Sequence, residues 1–103
     1  MRARLDTIAR SALSQDRAAG AFTCYDLATA YGVVDAATEV GQGVVLLVSP
    51  STAARPHGPH LVRSLRALAD DAAVPVSVQL DHASDLDLIE RIVEAGADAV
   101  LVD

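Results

Sequence analysis

An α/β fold with a parallel sheet is what this sequence predicts, and more narrowly the first half of a TIM (βα)8 barrel, truncated after about four strands. Three observations lead there. Helical and strand-like patterns alternate along the chain. No two strand patterns are joined by a tight hairpin turn, so neighbouring strands are expected to be parallel and connected through helices. Every strand pattern ends on a polar residue: Asp26, Ser49, Asp81-His82 and Asp103 in turn. A barrel converges all its strand ends on one mouth, where its chemistry is placed. A doubly wound open sheet offers one switch-point crevice and often a glycine-rich first turn, and none follows Tyr25.

The elements follow in order. Leu5 to Ala18 reads as an amphipathic helix, with Leu5, Ile8, Ala9, Ala12 and Leu13 at helical spacing and Gly20 after it. Ala21 to Asp26, "AFTCYD", is strand-like. Leu27 to Val40 is Ala-rich and helical, and the glycines of "GQG" at 41–43 stop it. "VVLLV" before Ser49 suits a strand buried on both faces. "SPSTAARPHGP" reads as a loop, and His60 to Ala73 as a helix with Leu61, Leu65 and Leu68 on one side. "VPVSVQLD" is the third strand. Its Val76, Val78 and Leu80 would face helices, and its Ser77, Gln79 and Asp81 the barrel lumen. Ser84 with Asp87 three residues on predicts a capped helix ended by Gly96. "DAVLVD" is the fourth strand. Residues 1–20 would be a helix preceding the barrel, and residues 21–103 the partial barrel.

Composition narrows the function. Aromatics make up only 3% of a chain that is 51% apolar, so Val, Leu, Ile and Ala must build the core. The net charge is −6, all eight basic residues are Arg and none form a run, which argues against a nucleic-acid or anionic-membrane partner. The charged N-terminus has no signal-peptide core, and no apolar run is long enough to span a bilayer. The single Cys24 suits a reducing compartment, and a cytoplasmic location is expected.

Asp81 and His82 are the residues that invite chemistry. Imidazole is a common metal ligand, and a carboxylate can act as a general acid or base. Adjacent residues on a regular strand point to opposite faces, so both serve one site only where the strand curls into its loop. His57 and His60 are spaced like a helical ligand pair, but Pro56, Gly58 and Pro59 predict a loop there. Cys24 and Tyr25 read as packing residues.

From Ala21 onward, "AFTCYDLATAYGVVDAATEVGQGVVLLVSPS" and "VPVSVQLDHASDLDLIERIVEAGADAVLVD" resemble the N-terminal part of the class II, metal-dependent fructose-bisphosphate aldolases and related ketose-bisphosphate aldolases. The specific element is "LDH" closing the third strand, followed by a helix and "EAGADAVLVD". The resemblance implies reversible cleavage of a ketose phosphate into dihydroxyacetone phosphate and an aldehyde. It implies that His82 is one zinc ligand and that Asp81 is the acid/base for the C4 hydroxyl. Ser49 and Asp26 would line the substrate. The chain departs from the family pattern at Asp26, where Asn is usual, at Gln79, where His is frequent, and at Ala83, where Gly is common. The family's remaining zinc ligands and phosphate loops lie beyond the position of Asp103. The expected partners are a phosphorylated sugar and either a second copy or a complementary half-barrel. The alternatives are a repurposed, non-catalytic homologue or a half-barrel acting as an interaction module.

Overall fold

The computed structural model describes residues 1–103 throughout. Four parallel strands, β1 (Gly20–Thr23), β2 (Val44–Val48), β3 (Val76–Ala83) and β4 (Ala99–Val102), form one sheet in the order β1-β2-β3-β4. Around them run α1 (Leu5–Ser14), α2 (Leu27–Val40), α3 (Pro50–Ala53), α4 (Gly58–Asp71) and α5 (Leu86–Ala95). Sequence order equals sheet order, so each connection steps to the next strand in the same direction, as in a barrel wall.

The core is the layer between the sheet and α2, α4 and α5. Val44, Leu46 and Val48 of β2 lie in register with Val76, Val78 and Leu80 of β3, and all six are buried there. From the helices come Ala30 and Val34, Val62, Leu65 and Ala69, then Leu88 and Ile92. Of the face predicted for α4, Leu65 is fully buried, and Leu61 and Leu68 are partly buried against this core. On the other face, Val45 pairs with Ser77 and Leu47 with Gln79, and Ser77 and Gln79 are buried as well. α1 lies across the start of β2 and β3. A side chain added at Gly43 would stand 3.4 Å from Ile8 and 3.1 Å from the Pro75 carbonyl, and Ile8 and Ala12 are buried.

Residues 1–3 fill the β4 side of β3 ahead of β4. Ala3 donates to the Val76 carbonyl at 2.8 Å, and Val76 donates to that of Met1 at 2.8 Å. Asp98 completes this base. Its N–H donates to Val78 at 2.7 Å, its Oδ2 accepts from the Val78 N–H at 2.9 Å, and its Oδ1 sits 3.1 Å from Arg2 Nε.

Several boundaries differ from the sequence reading, most of them for a capping reason. β1 ends at Thr23 rather than Asp26, because Asp26 is in extended backbone as the N-cap of α2, accepting from the Thr29 N–H at 2.8 Å. The segment 49–59 is not all loop. Ser49 caps the one-turn α3, and α4 begins at Gly58 with Pro59 in its first turn, where a missing N–H is harmless. α5 is capped by Asp85, not Ser84: Asp85 Oδ1 accepts from Asp87 at 3.0 Å and Leu88 at 3.3 Å. α1 stops at Ser14, four residues early. Gly41 ends α2 in the left-handed conformation (φ 71°) expected of a helix-terminating glycine.

Candidate active site

β3 does not stop at Asp81. It runs to Ala83 through a register shift against β4 between Leu80 and Ala83. Within that bulge His82 has φ +50°, a left-handed backbone that non-glycine residues seldom adopt. The departure from regular pleating removes the alternation that would send Asp81 and His82 to opposite faces. His82 Nε2 lies 3.8 Å from Asp81 Oδ1, and its other nitrogen, Nδ1, is 3.0 Å from Asp103 Oδ1 at the end of β4. Three of the polar strand-end residues thus form one group. Asp81 is partly shielded, and His82 and Asp103 are open to solvent.

The electrostatics follow from this grouping. The hydrogen bond to Asp103 holds the His82 imidazole above its ordinary value, and the charges of Asp81 and Asp103 push the same way. Asp26 is lowered by the Thr29 backbone N–H and then by the Thr29 hydroxyl, so it is a firm carboxylate. Burial, with the Asp26 charge adding to it, raises the Cys24 thiol. A buried neutral thiol in the helix-side core is a packing residue, as expected.

The other predicted residues stand at the same end of the sheet with structural tasks of their own. Ser49 Oγ caps α3, accepting from the Thr52 N–H at 3.3 Å and lying 3.0 Å from Thr52 Oγ1 and 3.2 Å from Ser51 Oγ. Tyr25 is exposed rather than packed: beyond the end of β1 there is no sheet neighbour to cover it. It lines a hollow of about 310 Å³ with Thr52, Arg55, Pro56, His57 and Leu61. His57 and His60 belong to the start of α4, not to a free loop.

His82 suits a metal as one ligand. Nδ1 is engaged by a carboxylate and Nε2 makes no hydrogen bond, the arrangement usual around metal-bound imidazoles. No group of three or more His, Cys, Asp or Glu side chains in these 103 residues is arranged to hold a metal ion, and a three-ligand site would need donors besides His82. The sequence reading missed one participant, the pairing of Asp103 with His82. Asp103 was visible as a polar strand end, but the β3–β4 register that brings it to the ring is not.

A family model for class II fructose-bisphosphate aldolase matches residues 3–103. The chain belongs to that family. Among curated relatives, this class II aldolase chain is 32% identical over 96 residues to the fructose-bisphosphate aldolase of Thermus caldophilus. It is 35% identical over 83 residues to the D-tagatose-1,6-bisphosphate aldolase subunit GatY of Klebsiella oxytoca. These alignments cover 93% and 81% of the chain but only 31% and 29% of the relatives. Solved structures agree on the fold. A Coccidioides immitis protein assigned as a fructose-1,6-bisphosphate aldolase superposes with TM-score 0.87 at 26% identity, and the YdjI aldolase of Escherichia coli K12 with TM-score 0.88 at 21%. Each covers 97% of this chain, which spans 35% and 38% of theirs. The four strands are thus the counterpart of part of an aldolase barrel.

Proposed function

We propose that this aldolase-family chain supplies one wall of a zinc-dependent active site for reversible cleavage of a ketose phosphate into dihydroxyacetone phosphate and an aldehyde. The observation that carries the reading is the bulge at His82, which sets an unshared imidazole nitrogen beside the Asp81 carboxylate at the end of a barrel strand. The chemistry a bound zinc ion would supply is Lewis-acid polarisation of the substrate's ketone oxygen. His82 Nε2 would be one of its ligands. Asp81 takes the proton of the C4 hydroxyl on cleavage and returns it on condensation. Its oxygens make no hydrogen bond in the structure and remain available for that transfer. Asp26 and Ser49, at the N-termini of α2 and α3, line the same mouth, where helix N–H groups and the Ser49 hydroxyl suit an anionic, hydroxylated substrate. No helix is long and apolar enough to cross a membrane. The free buried Cys24 suits the reducing cytoplasm, where we place the protein.

The test compares two variants in the intact protein. Asp81→Ala should lower turnover by about 10²–10⁴, the usual worth of a positioned acid or base, with zinc content close to wild type. His82→Ala should lose zinc and activity together. Equal zinc loss in both would show that the two residues do not divide the work this way.

A further inference from the structure

We propose that Asp103 is a positioning residue for His82: its carboxylate fixes the ring tautomer that leaves Nε2 bare, and its backbone pins the bulge that carries the ring. The inference rests on the reading of His82 as a metal ligand and adds the device that prepares it. Two bonds from one residue span the bulge. Asp103 Oδ1 lies 3.0 Å from His82 Nδ1, and the Asp103 N–H donates to the Ala83 carbonyl at 3.0 Å. His82 at φ +50° is in a conformation that persists only where its surroundings enforce it. Two cross-strand bonds at this point of β3 come from Asp103, beside the ladder pairing of Ala83 with Val102.

The chemistry of the partner decides the tautomer. A carboxylate has no proton to give at neutral pH, so a hydrogen bond to it requires the imidazole proton on Nδ1. The lone pair is then on Nε2. Asp81 cannot override this, because at 3.8 Å from Nε2 it is outside hydrogen-bond range. An asparagine at 103 would differ in one respect. Its amide can accept through oxygen or donate through nitrogen, so it satisfies either tautomer and selects neither.

The experiment uses the intact protein with ring-¹⁵N histidine, the His82 signals being assigned by their absence in His82→Gln. Spectra are recorded without metal at a pH where the ring is neutral. Zinc affinity is measured separately by competition with a chelator. Wild type should show Nδ1 protonated and Nε2 bare. Asp103→Asn should give a mixture of tautomers, and Asp103→Ala and Asp103→Asn should weaken zinc binding by about 10–100-fold, the usual effect of losing such a partner. Thermal unfolding should stay near wild type, so that a global loss of structure is not the cause. A wild-type ring protonated on Nε2 overturns the proposal without any variant, and so does Asp103→Asn with unchanged tautomer and affinity. If His82→Gln binds zinc like wild type, the ligand assignment fails instead, and the tautomer spectra still decide whether Asp103 sets the ring.

Discussion

Asp26 carries two demands at once. It caps α2 through Thr29, and it stands at the mouth where an anionic substrate is proposed. The demands separate by substitution. Asp26→Asn keeps a side-chain oxygen for the cap, and Asn and Asp cap helices equally well, so stability should change little. It removes a negative charge beside a bisphosphate, so the Michaelis constant for fructose bisphosphate should fall in the intact enzyme. A rise would mean that Asp26 recognises a different group, such as a substrate hydroxyl or amine. Asp26→Ala loses the cap and should cost about 1 kcal/mol in chemical denaturation. Ser49 has the same double position, since Ser49→Ala removes the α3 cap together with the proposed substrate hydroxyl.

At the scale of elements, the joint between β3 and β4 depends on Asp98. Burial pushes its carboxyl above the ordinary value, against the Val78 hydrogen bond and the charges of Arg2 and Arg66, which pull it down. Between the unfolded value of 3.8 and the raised folded value, the folded chain holds more proton than the unfolded one. Stability contributed by this group therefore falls as pH rises through that window. Asp98→Asn should flatten that slope in denaturation curves taken across the acid range. Asp98→Ala should cost about 1–3 kcal/mol at neutral pH, because the buried Val78 N–H loses its acceptor. A second joint lies between α3 and α4. A Cβ at Gly58 would come within 1.9 Å of the Ala53 carbonyl oxygen and 2.5 Å of its carbon, both backbone atoms. Gly58→Ala should destabilise by about 1–3 kcal/mol or push the helices apart, to be read from the melting temperature.

At the scale of the whole molecule, both sheet edges are open along β1 and β4. Beside β1, a groove of about 620 Å³ runs between the strand and α2, lined by Phe22, Val33, Ala36, Val40 and Val44. Phe22 is 51% exposed, and at the other edge Leu101 is 41% and Val102 60% exposed. Unpaired strand edges flanked by apolar side chains invite another chain. Covering a few hundred Å² at roughly 25 cal/mol per Å² is worth several kcal/mol, comparable with the stability of a small domain, about 5–15 kcal/mol. The 103 residues expressed alone should therefore self-associate or stay loosely packed, and should show no aldolase activity with added zinc. Sedimentation and near-UV circular dichroism check this. A compact monomer with cooperative unfolding would contradict it.

Sequence alone determined the alternation of parallel strands and helices, the buried faces of β2, β3 and α4, and the candidates Asp81 and His82. These are properties of local periodicity and residue chemistry, and the "LDH" and "EAGADAVLVD" stretches carried the family. Cap choice was less legible. Ser84 and Asp85 are both good caps, and the path of the chain between β3 and α5 selected Asp85. The helical turn inside 49–59 was hidden by its prolines, which stop helices in mid-course yet suit their first turn. Only the tertiary structure decided how two neighbouring residues reach one site. That required a left-handed His82, a shifted β3–β4 register and an Asp103 carboxylate delivered from 21 residues away. Register otherwise follows the apolar pattern of a strand, but the shift between Leu80 and Ala83 is a bulge, which that alternation does not encode.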